Sequence, residues 1–154
     1  MESGNEYLRD VIADVLSSMC FAAPEFVGPG QIPLAITSSI EFSGDIQGEL
    51  RLAVNEQLAR QLAADFVGIE PSLVTAESAR SFALELANVL CGAALASAAS
   101  KKNYSVSLPS VLESEGPDVY PYCFSVNGEA ADIGLALRLQ EASEERRDGS
   151  LTAV

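Results

Sequence analysis

Apolar residues recur at helical spacing near the start of the chain. Leu8, Val11, Ile12, Val15, Leu16 and Met19 predict a helix over residues 6–20. Proline and glycine dominate residues 24–33, with Gly28-Pro29-Gly30 at the centre, and predict a loop. Alternation of apolar and polar positions over 40–42 and 48–54 predicts two half-buried strands joined by a turn at Ser43-Gly44-Asp45. Asn55 suits the N-cap of a helix that runs to about Val67 and closes at Gly68. Pro71 opens a short loop, and Thr75 can cap a long helix carrying the apolar run 81–99. Residues 104–108 alternate and stop at Pro109, and 120–126 and 132–139 complete a second group of strands. The chain suits one domain over residues 1–140, with 141–154 a polar, frayed tail.

The two halves share a layout. Ala13-Asp14-Val15-Leu16 resembles Ala87-Asn88-Val89-Leu90, and Phe42-Ser43 followed by Leu50-Arg51-Leu52 recurs as Phe124-Ser125 followed by Leu137-Arg138-Leu139. The offset grows from 74 through 82 to 87, which places insertions over 113–118 and 127–131. A duplicated domain and chance matches both produce such short echoes. With duplication, Tyr7, Val11 and Asp14 take the places of Ser81, Glu85 and Asn88, and the first copy has no carboxylate where Glu85 sits.

Composition narrows the chemistry. Of 154 residues 48% are apolar and few are aromatic, in keeping with an α/β or α+β globule. Nine basic against twenty-two acidic residues give a formal charge of −13, which repels phosphate backbones and anionic lipid. No nucleic-acid or membrane partner is expected. The run 82–99 is long enough to consider as a membrane span, but it holds Glu85 and Asn88 and relies on alanine, so a span is set aside. Histidine is absent, and Cys20, Cys91 and Cys123 are far apart with no C-x-x-C. Imidazole catalysis and a histidine-based zinc site are excluded, no metal site is expected, and the thiols read as buried and inert in a reducing cytoplasm. The first ten residues lack the basic-then-apolar order of a signal peptide.

One narrow stripe interrupts the greasy helix. Ser81, Glu85 and Asn88 fall at i, i+4 and i+7, within roughly 60° of one another at about 100° per residue. Gly92 and Ala99 continue the stripe, with Leu95 and Ala96 on its margins, so a partner could lie close against this face. The same spacing describes the solvated face of any amphipathic helix. If the stripe is functional, its equipment is sparse. An amide is no base near neutral pH, so Asn88 can only position and polarise, while Glu85 can grip a cation or take a proton. Such a site fits a substrate that brings almost everything itself. An aspartyl phosphate on a response regulator, with its own Mg²⁺ and lysine, needs only a water held in line.

The arrangement Ser81-x3-Glu85-x2-Asn88, followed about twenty residues later by Pro109, resembles the signature of the CheC, CheX and FliY chemotaxis phosphatases. Gly44, Gly48 and Leu52 at four-residue spacing, then Asn55-Glu56, also resemble this family. A single intact motif in the second half resembles CheX more than two-site CheC. The resemblance implies an α+β, two-layer domain of pseudo-duplicated helix and antiparallel-strand halves. It implies dephosphorylation of a CheY-like receiver domain, with a catalytically idle adaptor of the same fold as the alternative. Glu85 would pair with the receiver's active-site lysine and Asn88 would orient the attacking water. Ser81 would aid docking at the rim, Gly92 would keep the face low, and Pro109 would shape a neighbouring loop. No cofactor of its own is implied, Mg²⁺ being carried by the partner. A homodimer is implied too, with the strands at 120–126 and 132–139 as candidates; residues 133–139 form an apolar-leaning strand without proline, which invites pairing if its edge is uncovered.

Overall fold

The computed structural model describes residues 6–112, 118–128 and 130–141. Helix α1 (Tyr7–Cys20) turns Leu8, Val11, Ile12, Val15 and Leu16 into the core. Strand β1 (Glu25–Gly30) occupies the stretch expected to be a loop. Its pattern is illegible because two register shifts and Gly28, at φ 103°, break the alternation. Tertiary contacts hold it instead: Phe26 packs edge-on to Phe124, and the Arg9 guanidinium lies 4.0 Å over the Phe26 ring.

Strands β2 (Ala35–Gly44) and β3 (Ile46–Asn55) form a hairpin about the single turn residue Asp45, paired from Ala35↔Asn55 to Phe42↔Gly48. Both outrun the expected strands, because Thr37, Ser38 and Ser39 are buried polar residues that hide β2's alternation. Asn55 then starts helix α2 (Glu56–Val67), its Oδ1 accepting from the Gln57 and Leu58 amides at 3.0 and 3.2 Å. A cap of this kind contributes about 1 kcal/mol. Gly68 ends α2 in the left-handed conformation at φ 78°.

A single 3₁₀ turn, Pro71–Leu73, leads to Thr75, whose Oγ1 accepts from the Ser78 amide and starts helix α3 (Ala76–Ala98). Ala99 leaves the helix at φ −147° and is buried, so it drops out of the predicted stripe. Leu95, expected on the margin, is buried as well. By length and a mean hydropathy of 1.5, α3 could cross a membrane. Its Phe82, Leu86, Leu90 and Leu95 are instead packed into the core of a globular domain.

The second strand group is β4 (Tyr104–Val106), β5 (Ser110–Val111), β6 (Tyr120–Ser125) and β7 (Ile133–Glu141). Strand β4 is shorter than expected and β5, just after Pro109, was not foreseen. Glu141, assigned to the tail, pairs with Ile46 at the end of β7; the rest of the tail and residues 113–117 lie outside the described residues.

The seven strands form one sheet in the order β1-β6-β7-β3-β2-β4, with β5 beside β4 on β2. This order is symmetric about the β7–β3 contact. Leu50 pairs with Leu137, its counterpart at the offset of 87, so a local two-fold axis passes through that pair. Duplication thus becomes geometry: each half builds a hairpin, and each lends an edge strand to the other half's hairpin. All the helices lie on one face, where a continuous core unites them with Ile40, Leu50, Leu52, Phe124 and Leu135. On the opposite face Glu49 accepts from Ser39 at 2.6 Å and Arg51 at 2.9 Å. Burial pushes the Glu49 carboxyl up, but those hydrogen bonds and the charges of Arg51 and Arg138 outweigh it and hold the group below the ordinary carboxylate range.

The sheet narrows one expectation. Strands β6 and β7 are interior in the strand order, but β6 covers β7 only from Ile133 to Leu135, so among the described residues the far end of β7 is paired with β3 alone. The true edges are blunted. Strand β1 carries bulges and Pro29, which has no amide to donate, while β4 and β5 are short and separated by Ser107-Leu108-Pro109.

Gly44 and Gly48, noted for their spacing, have a steric reason. A Cβ on Gly44 would sit 2.7 Å from the Asn103 carbonyl oxygen, and one on Gly48 1.8 Å from that of Arg138 in β7. The obstacle at Gly48 is backbone in the central pair and cannot swing aside. Gly48→Ala is therefore expected to destabilise the fold by about 3 kcal/mol or more, read as a lowered denaturant midpoint. A midpoint within about 0.5 kcal/mol of wild type would show that the β3–β7 approach is slack.

Candidate functional site

Helix α3 packs on β2 and β3 of the sheet, with α1 and α2 as its helical neighbours and β5 touching it. Its buried line, Ala79, Phe82, Ala83, Leu86, Leu90 and Cys91, faces the core. The opposite line is Ser81, Glu85, Asn88 and Gly92, all exposed. Side chains three and four residues apart on such a face sit about 5–6 Å from one another at Cβ. The three polar residues are thus brought together as neighbours, and among the described residues no hydrogen bond or ion pair engages the Glu85 or Asn88 side chain. The pair is free to meet something arriving from solvent.

Gly92 sharpens the point. A glycine inside a helix costs about 1 kcal/mol relative to alanine. A Cβ at Gly92 would meet nothing within 4 Å, so no contact within the described fold requires its absence. Pro109 is half-buried at the break between β4 and β5, beside Leu108, which is 88% exposed. The end of β5 reaches α3, since Val111, Leu112 and Arg80 line one hollow. This leaves Pro109 immediately before the short strand whose end borders the helix.

The first helix is built differently. Val11, the counterpart of Glu85, is buried in the core, Tyr7 is half-buried, and Asp14 is exposed. The line that α3 shows to solvent is partly turned inward on α1. Burial raises the Tyr7 hydroxyl above its usual range, helped by Tyr122, which keeps it neutral.

The thiols are poor nucleophiles. Cys20, Cys91 and Cys123 are free and buried, and burial pushes the first two up to about 11 and the third upward as well. Among the described residues there is no group of three or more His, Cys, Asp or Glu side chains placed to hold a metal ion.

One feature of the site was not anticipated. Ser81 and Glu85 also form the wall of a groove of about 560 Å³ whose other side is apolar: Phe66, Val67, Ile69 and Leu73. Apolar residues crowded around Gly68 and Pro71, where a connection is normally polar, were the signal available in the sequence.

A sheet of two antiparallel hairpins under one layer of helices is the fold of the CheX/CheC-like class. Solved structures of that class share the fold. CheX from Vibrio vulnificus has a TM-score of 0.70 at 16% identity, covering 89% of this chain and 96% of that one. A CheC-like superfamily protein from Shewanella has a TM-score of 0.64 at 20% identity, covering 85% and 94%. The CheX-CheY-BeF3-Mg²⁺ complex from Borrelia burgdorferi contributes a chain with a TM-score of 0.66 at 16% identity, covering 88% and 97%. The family model described as chemotaxis phosphatase CheX matches residues 36–124, more than half of the sequence, and the chain belongs to that family. No curated protein matches it in sequence.

If Gly92 serves an incoming surface rather than the fold, Gly92→Ala should leave the structure intact and raise stability by about 0.5–1 kcal/mol. Denaturant unfolding measures this. A loss of stability would show that Gly92 is required by the chain's own packing.

Proposed function

We propose that this chain is a phosphatase for the phosphoaspartate of a CheY-like receiver domain, with Glu85 and Asn88 as its catalytic residues. The observation that carries the reading is the unengaged Glu85–Asn88 pair on the exposed face of α3, inside the segment matched by the CheX model. The complex from Borrelia burgdorferi shows that a protein of this fold can hold CheY with BeF3 and Mg²⁺. In this reading the receiver supplies both the divalent cation and the lysine, and this chain needs no cofactor of its own.

Glu85 pairs with the lysine ammonium and sets the register of the complex. The Asn88 carboxamide holds a water in line with the phosphorus. As the water oxygen bonds to phosphorus, the acyl-phosphate P–O bond breaks. The aspartate leaves as carboxylate, and both water protons depart with the inorganic phosphate, as dihydrogen phosphate. The barrier falls because the water is positioned, not because a base removes its proton. Ser81 lies at the rim and assists docking, Gly92 lets the partner approach, and Pro109 shapes the bordering loop. Residues 1–140 act as one domain in the cytoplasm, alongside the receiver.

Asn88→Ala is expected to reduce receiver dephosphorylation by ~10²–10³ with binding kept. Glu85→Ala should mainly weaken the complex, by about 2–5 kcal/mol if the lysine is left buried and unpaired. Release of phosphate from a phosphorylated receiver, with calorimetry for affinity, separates the two. Near wild-type turnover by the Asn88 variant would remove this mechanism, whereas a wild-type chain that binds the receiver and releases no phosphate would be the adaptor.

A homodimer belongs to the same proposal; it rests on the resemblance and on the far end of β7, which among the described residues is paired with β3 alone beyond Leu135. Light scattering should give twice the chain mass at micromolar concentration; a monomer mass would end that part.

A further inference from the structure

The groove beside the stripe has no part in the chemistry just described. It runs between the C-terminal end of α2 and the N-terminal half of α3, floored by Phe82 and closed at one end by the 3₁₀ turn. Phe66 packs against Phe82 with ring centroids 5.7 Å apart, yet remains 47% exposed. Val67 and Leu73 are 59% and 66% exposed. The walls are fixed in place. The Gly68 and Ile69 amides both donate to the Ala64 carbonyl, and Arg60 donates to the Val74 carbonyl, tying α2 to the segment before α3. Large apolar side chains held open to water on a rigid frame mark an interaction surface.

The rim says what can fill it. Glu77 and Glu85 line the groove, and Asp65 and Glu70 are exposed beside its apolar wall. A second copy docked here face to face would set these carboxylates against one another, and an anionic membrane would be repelled. A partner presenting an apolar side chain flanked by cations suits the charge. The groove also shares Ser81 and Glu85 with the stripe, so whatever reaches Glu85 covers its mouth.

We propose that the groove between α2 and α3 is the apolar half of the receiver-docking surface: a receiver-domain apolar side chain, flanked by basic residues, seats against Phe66, Val67 and Leu73 while Glu85 and Asn88 meet the phosphorylated centre. This rests on the phosphatase reading and adds a division of labour to it. The groove supplies apolar contact, Glu85 an ion pair, and Asn88 the chemistry.

The test uses Val67→Asn and Leu73→Ser, two exposed positions whose replacement leaves the core untouched. The probes are CheY-type receiver domains from the same genome, activated with beryllium trifluoride and Mg²⁺ for binding and phosphorylated for turnover. Each variant should weaken binding and raise KM about tenfold, with kcat within about twofold of wild type, the reverse of the Asn88→Ala pattern. Unchanged KM and affinity in both variants, with wild-type chain active, would overturn the groove and leave the phosphatase reading standing. A wild-type chain that neither binds nor dephosphorylates any of the receivers would overturn both. A wild-type dimer that Leu73→Ser converts to monomer would assign the groove to a second copy and overturn the receiver as its occupant.

Discussion

The antiparallel pairing of β3 with β7 is the contact on which the rest depends. It runs for nine residue pairs, from Ile46↔Glu141 to Val54↔Ile133, and joins the two halves down the middle of the sheet. Because Leu50 meets Leu137 on the pseudo-two-fold axis, each hairpin is placed by the other, and the helices above them are placed in turn. Closing a contact between residues so far apart in sequence costs loop entropy that local structure cannot offset. The return comes from apolar burial along the axis, where Leu50, Leu52 and Leu135 are fully buried and Leu137 nearly so. Gly48 lets the two backbones approach this closely, which is why a small residue in a strand matters more here than its apolar neighbours would suggest.

The packing of the two related helices explains why one shows a Glu-Asn face to solvent and the other does not. In α3 the stripe points away from the sheet, and its 23 residues leave room for a buried line and an exposed line side by side. Helix α1 has 14 residues and spends Val11 on the core. A carboxylate there would be buried without a cation, a position proteins avoid by shifting protonation or by unfolding locally. The blank first copy is thus a consequence of packing as well as of sequence. Asp14, though exposed, stands without the neighbour that would make it a pair.

How much of this was legible in the sequence followed from where the determining forces act. The caps at Asn55 and Thr75 and the stop at Gly68 are local interactions, and each was placed from residue type and spacing. The polar trio on α3 depends only on helical periodicity, and it emerged as one exposed face. Strand β1 was invisible because its pairing with β6 is long-range and its bulges erase alternation. The first half of β2 was masked in another way: Thr37, Ser38 and Ser39 are polar by sequence and buried by pairing on both sides. The edge argument for β7 holds only for its far end, for a related reason: the sheet order places the strand inside, yet β6 covers it no further than Leu135, and neither fact shows in a window of sequence. The groove was missed because it needs α2 and α3 brought together, which no single window of sequence displays.

A chain of formal charge −13 is an awkward partner for a phosphoryl group, and this bears on how the site must work. Its long-range field opposes the approach of an anionic centre, although at physiological salt that field fades within about 8 Å. Attraction must therefore come at short range. An ion pair at Glu85 is local and specific, but an exposed pair alone contributes little, about 0–1 kcal/mol. Desolvation changes its worth: once apolar surface beside it is covered, water leaves and the same charges interact in a lower dielectric. The groove and the carboxylate are then not separate features that happen to adjoin. Covering Phe66, Val67 and Leu73 is what would make Glu85 effective, and Glu85 is what would restrict the groove to a partner bringing a cation to that spot.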